Sequence, residues 1–214
     1  MRYLENVNQS ITEKREIVIE TAFKLFAENK IEPVTMTVVA DNCNMGVASI
    51  YRYFGTKKEL VIAVAAKKWR EYYSELQKYY KELNVDKMTA QELEFYIDRY
   101  IDLYNENNDL LNFNANFGIY IGSEDTTKDE MRPYNSIIDK FVNRFHMLYK
   151  KAQDDKTIRT DISERSILYN IMYTMMSALS KYSTNIIHSA DQDRNYEKEI
   201  CQLKDMYLEY YCRK

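Results

Sequence analysis

The stretch from Thr35 to Leu60, TMTVVADNCNMGVASIYRYFGTKKEL, constrains this chain more than any other. Its own punctuation divides it into three short helical pieces. Thr35 is a good N-cap, and Met36, Val39 and Ala40 follow at helical spacing. Asn44 tolerates a left-handed conformation and Gly46 comes soon after, so the first helix should stop near Asn42 or Cys43. A second helix is expected from about Val47 to Phe54, with Ile50 and Phe54 sharing a face, and Gly55 ends it. Thr56 opens a third helix, where Glu59 completes a capping box. Two short helices joined by a Gly-containing turn of about four residues form the helix-turn-helix pattern.

The rest of the chain reads as helix almost throughout, because its 214 residues include only four Gly and two Pro. Residues 1–9 are polar and expected to fray, with Ser10 and Glu13 capping a helix that carries Ile11, Val18, Ala22, Leu25 and Phe26. The helix opening at Thr56 keeps its apolar stripe to about Leu83, too long to serve a small domain alone. Thr89 with Glu92 opens the next helix, interrupted between Asn105 and Asp109. A short apolar helix follows from Leu110 to Ile121, then a loop from Gly122 to Thr127. A further helix tolerates Pro133 in or before its first turn and ends by Gln153. The segment from Gln153 to Asp161 reads as polar linker, and two helices, the first capped by Asp161, close the chain.

The segment around Ile50-Tyr51-Arg52-Tyr53-Phe54 and Thr56-Lys57-Lys58-Glu59-Leu60 resembles the DNA-binding motif of the TetR family of transcriptional repressors. Thr35, Val39-Ala40 and, upstream, Ala22, Leu25-Phe26 and Ala27-Glu28 fit the same pattern. The resemblance covers roughly residues 12 to 65; beyond that it is one of layout. Lys30 stands where a capping Gly is common, Asn44 replaces the turn Gly, and Gly46 replaces a Ser that usually caps the recognition helix. Asn and Gly can do the backbone work, whereas Gly46 removes a hydroxyl-to-phosphate contact.

The resemblance implies an all-α protein: an N-terminal three-helix DNA-binding domain (10–55) and a C-terminal helical-bundle domain for dimerisation and ligand binding (56–214), sharing the helix from about 56 to 83. By its N-terminal half, the second helix of the motif would enter the major groove. Val47, Ala48, Ser49 and Arg52 would then lie near base edges, with Arg52 the candidate for bidentate readout of guanine. Thr35, Tyr51, Tyr53 and Lys57 are placed to bind phosphates. Tyr51 and Tyr53 are two apart on a helix, so they face different ways.

The family also implies an effector cavity lined by some of Tyr100, Tyr104, Phe113, Phe117, Met147, Met172 and Met176, with His146 a possible hydrogen-bonding member. Plain core is the competing reading for each of these. In the family the last two helices form a two-fold four-helix dimer interface. Ile171, Met175, Leu179, Tyr182, Ile186, Ile200, Leu203, Tyr207 and Tyr210 are its expected residues, Met and Tyr suiting an interface core. The competing reading has both helices closing the monomer's own core.

Charge and composition narrow the function classes. The net charge is −3, so no global basic field draws in nucleic acid. Between Gly46 and Arg70, however, six basic residues face Glu59 alone, a cluster that starts at the helix-turn-helix, although a solvated face of the fourth helix is the favoured reading for Lys67, Lys68 and Arg70. Cys43, Cys201 and Cys212 have neither metal nor disulfide spacing, which suits a reduced cytoplasmic chain. No apolar run reaches the ~18–20 residues that span a bilayer, and no leader pattern opens the sequence. With His146 and His188 the only histidines, no metal or acid–base constellation stands out, and no catalytic residue, metal or cofactor is expected. The expected partners are an operator duplex, a small-molecule effector and a second copy of the chain, with no membrane. A regulator that senses a protein partner and, more remotely, a helical-bundle enzyme are the rivals. Effector, operator, regulated genes and the choice between repression and activation are not legible.

Overall fold

The computed structural model describes residues 2–82, 88–183 and 195–213. Among them lie α1 (Arg2–Asn29), α2 (Met36–Asn42), α3 (Val47–Tyr53), α4 (Lys57–Glu82), α5 (Thr89–Glu106), α6 (Asn108–Ser123), α7 (Arg132–Asp155), α8 (Glu164–Ser183) and α9 (Tyr196–Tyr211). The fold is all-α; an isolated antiparallel bridge joins Ile158 and Cys212. No helix among the described residues is long and apolar enough to cross a membrane.

Several helix boundaries are set by groups other than the expected ones. α1 starts at Arg2 instead of Ser10, because no Gly or Pro between them stops a helix from propagating backwards. The Thr56 box holds, with a shift: its Oγ1 accepts from the Glu59 amide, while the Glu59 carboxylate accepts from the Gly55 amide at 2.9 Å. Ser163, not Asp161, caps α8 through the Ser166 amide; Asp161 pairs with Arg159 and Arg213 instead. Pro133 sits in the first turn of α7, where its missing N–H costs nothing.

Packing groups the chain into two units: residues 1–69 with 112–135, and 70–111 with 136–214. The first is larger than the 10–55 domain expected from the sequence. It takes in the first part of α4 and most of α6, because Phe113 is a fully buried ring packed against Phe23 and Phe26 of α1. Val18, Ala22, Phe26, Val39, Ile50, Phe54, Leu60 and Val61 fill the remainder of its core.

In the second unit α5, α8 and α9 pack on one another. Their shared core contains Leu93, Ile97, Ile167, Ile171, Met175, Leu179 and Ile200, all at or near zero exposure. Asp155 ties two ends of this unit together. Its carboxylate accepts from the Thr89 amide and hydroxyl, both at 2.6 Å, and from the Thr157 amide and hydroxyl. Thr89 is fully buried at the N-terminus of α5, so its donors have no alternative partner in reach of water. Asp155→Ala is therefore expected to cost about 2 kcal/mol, measured by denaturant unfolding. Burial pushes the Asp155 carboxyl pKa up, but the four hydrogen bonds outweigh it and hold the pKa below the ordinary 3.8. Because folding lowers this pKa, the stabilisation is present at neutral pH and is lost as pH falls below that value. Asp155→Asn should flatten that part of the acid limb.

Candidate functional site

The recognition element is built from short-range signals that the structure resolves atom by atom. Thr35 caps α2, accepting from the Val38 amide at 3.2 Å, with its own hydroxyl hydrogen left for a further acceptor. Asn44 turns the chain with φ 52, the left-handed conformation its side chain tolerates. Lys30 does the same at φ 64 in the place of a capping Gly. Gly46 caps α3 in an extended conformation that needs no Gly, and makes no side-chain cap bond. A Cβ placed there would meet nothing within 4 Å. Gly46→Ser is expected to stabilise the protein by about 0.5–1 kcal/mol, through the cap and a less flexible unfolded chain, as a rise in Tm.

α3 buries Ile50 and Tyr53 and turns Val47, Ala48, Tyr51 and Arg52 outward. Tyr51 is 50% exposed, whereas Tyr53 is buried and packs its ring within the first unit. Arg52 lies in the last turn, not in the N-terminal half, yet four residues from Ala48 it shares that outward face. Its guanidinium rests 5.5 Å from the Tyr53 ring centroid. Ser49 is half-buried.

Lys57 also departs from expectation. Its ammonium donates to the Glu32 carbonyl at 2.9 Å and lies 5.2 Å from the Tyr120 ring centroid. Burial pushes its pKa down, against the pull of Glu32 and Glu124. Held in this way, the lysine braces the start of α4. Lys57→Ala should leave the salt dependence of DNA binding unchanged and cost about 1 kcal/mol of stability, read by titration across salt concentrations and by unfolding.

The rest of the basic cluster is largely spent inside the protein. Lys58 pairs with Glu130 at 2.7 Å and donates to the Asp125 carbonyl. Lys67 pairs with Glu16 and Glu20, and Lys68 with Glu20 at 2.6 Å. One contributor was missed in the sequence. Arg15 of α1 donates to the Tyr53 carbonyl and stacks 4.3 Å from the Phe54 ring centroid, fastening the C-terminal end of α3. Only its register on α1, facing the motif, could have signalled it.

Residues 18–64 match the family described as bacterial regulatory proteins, tetR family. That segment carries the DNA-binding region of the tetR family. No curated protein sequence matches it significantly. Solved structures share its TetR-type fold along the whole chain. A Bacillus subtilis FadR, a transcriptional regulator in complex with stearoyl-CoA, is 14% identical over 90% of this chain and 97% of its own, with a TM-score of 0.70. The fatty acid degradation regulator FadR of Bacillus halodurans is 13% identical, covering 91% and 94%, with a TM-score of 0.68. A Saccharomonospora viridis protein described as a transcriptional regulator, in complex with choline, is 16% identical, covering 95% and 100%, with a TM-score of 0.71.

The other sites expected of a TetR chain are redistributed by the packing. Phe113 and Phe117 belong to the core of the first unit, stacked on each other, and Tyr100, Tyr104, Met172 and Met176 belong to the second. These six therefore do not line one pocket within a single unit. Met147 is 63% exposed, and His146 binds the Glu164 carboxylate at 2.9 Å on the surface between α7 and α8. Tyr100 and Tyr96 do meet, with hydroxyls 3.5 Å apart.

The proposed dimer stripe is corrected as well. Ile171, Met175, Leu179 and Ile200 are fully buried within the chain, because α8 and α9 need that stripe to pack on each other and on α5. Tyr182 stacks on Tyr196 and donates to Glu199, and Leu203 and Tyr207 are half-buried. Ile186 lies outside the described residues. Of the expected residues Tyr210 is exposed, and with it Met206 on α9 and Tyr173 on α8.

Proposed function

We propose that this chain is a ligand-responsive transcriptional repressor that works as a homodimer in the cytoplasm. It binds a palindromic operator through α3 and is released by a small-molecule effector held in the second unit. The observation that carries this reading is the outward face of α3. Val47, Ala48, Tyr51 and Arg52 stand on a short helix whose other side is locked into the core by Ile50, Tyr53 and Phe54. Nothing in the packing of the first unit requires those four side chains. An arginine beside small apolar groups and a tyrosine suits a groove that presents guanine acceptors, thymine methyls and phosphates.

The stearoyl-CoA and choline complexes of similar folds support an effector role for the second unit. A functional division near residue 55, with α4 shared, remains part of the proposal, since α3 ends and α4 begins there.

Selection from a random duplex library with the purified protein tests the reading. The expected product is an inverted repeat whose half-site centres lie one helical turn apart, about 34–36 Å. Recovery of unrelated sequences, or of a single unrepeated site, overturns it.

A further inference from the structure

The second unit contains a cluster that neither the fold nor the DNA contact uses. Three aromatic rings, Tyr79 and Tyr80 of α4 and Phe95 of α5, form a floor in which Tyr80 and Phe95 meet edge to face at 5.6 Å. Two guanidiniums lie on that floor. Arg99 of α5 sits 4.3 Å from the Phe95 centroid and 5.0 Å from that of Tyr79. Arg144 of α7 sits 4.2 Å from the Tyr80 centroid. Both cations act on the Tyr80 hydroxyl, opposing the burial that raises its pKa.

Among the described residues the two guanidiniums share one paired carboxylate. Asp102 pairs with Arg99 Nη1 at 2.7 Å, and among the described residues no carboxylate pairs with Arg144. Arg99 has only 15% of its side chain exposed, and its Nε is buried with no hydrogen-bond partner. With Nη1 taken by Asp102, the buried Nε is a donor without a partner among the described residues, and Nε with Nη2 is the edge on which a guanidinium receives a carboxylate through two parallel hydrogen bonds. Buried donors are paired in nearly all proteins, so an unpaired one beside a second unpaired cation calls for a missing acceptor. An aromatic floor at the same place suits an apolar body attached to that acceptor.

We propose that Arg99 and Arg144 form an anion subsite above Tyr80, for an effector that carries a carboxylate on an apolar body. The proposal rests on the effector-sensing role of this unit and names its ligand chemistry. The carboxylate bridges the Arg99 fork and the Arg144 guanidinium, and the apolar body lies over the rings.

Thermal shift of the full chain with a homologous series of phenylalkanoates and the matched phenylalkanols is the test. The expected result is that the acids raise Tm and bind about tenfold or more tightly than their alcohols, as one charge-assisted pair requires. Arg144→Gln should remove that preference while leaving alcohol binding unchanged, and Arg144→Lys should keep part of it. Among the described residues Arg144 makes a ring contact and no hydrogen bond, so its replacement should leave the fold intact. Equal shifts for acids and alcohols in the wild type, including no shift from either, overturn the subsite. So does a preference that survives in both Arg144→Gln and Arg99→Gln. Binding to the selected operator separates the two readings. An acid that binds with this signature but leaves DNA affinity untouched keeps the subsite and removes the effector role. An alcohol that alone releases DNA does the reverse.

Discussion

Arg52→Ala is expected to weaken binding to the selected operator by about 1–3 kcal/mol at each half-site, while binding to random duplex changes far less. Across two half-sites that is on the order of 2–6 kcal/mol, about a thirtyfold loss in Kd at the least. The size follows from geometry. Arg52 is exposed on the face it shares with Ala48 and Tyr51, and among the described residues its guanidinium makes a loose ring contact with Tyr53 and no ion pair. A fork held that way retains its donors for a base edge. Its position in the last turn of α3 restricts it to one end of the half-site, so preference should relax at a single base pair. Competition of operator against random DNA at fixed salt measures this. An equal loss on both duplexes assigns Arg52 to the phosphate backbone.

Met206→Glu is expected to convert the protein to monomers and abolish operator binding at micromolar concentration, without loss of fold. Met206 and Tyr210 stand four apart on α9, 63% and 57% exposed, and Tyr173 on α8 is 62% exposed and stacked on Tyr169. Thioether and aromatic groups turned to water on two adjacent helices cost solvation free energy that a second copy recovers. In the proposed dimer a carboxylate introduced there would face its own symmetry mate across a two-fold seam. Ile171→Glu, by contrast, places a charge in the monomer's core and should unfold the chain. Sedimentation with circular dichroism separates the two outcomes. A wild type that is already monomeric, or a dimeric Met206→Glu, removes this face from the interface.

The same pair of substitutions marks the limit of what the sequence could say. Helical spacing gave the apolar stripe of α8 correctly and could not say what covers it. Period alone does not distinguish a neighbour in the same chain from one in another. Backbone punctuation was the most legible layer. The left-handed turn at Asn44, the Thr35 cap and the Thr56–Glu59 box depend on residues a few positions apart, so local chemistry decides them. The buried and exposed members of the Tyr51–Tyr53 pair needed the third dimension, although their divergence did not. The bonds that hold Lys57, Lys58, Lys67 and Lys68 were hidden for a related reason. Their partners Glu32, Glu130, Glu16 and Glu20 lie far away in sequence. Arg99 and Arg144 gave no signal, since on a helix each looks like a solvated surface residue.

Those lysine pairs bear on how the protein finds its site. Proteins that slide along DNA are held to the duplex by unpaired cations, and the hold supplies a one-dimensional search. Here Lys58, Lys67 and Lys68 are answered by glutamates of the same unit, and the net charge of the whole chain is −3. If the chain binds an operator as proposed, residence on random DNA should be brief, with arrival dominated by three-dimensional diffusion and an on-rate that varies little with salt. Occupancy of the operator becomes a matter of copy number and release rate. An effector need only shorten the bound lifetime, because little non-specific DNA stands by to recapture a protein that has let go.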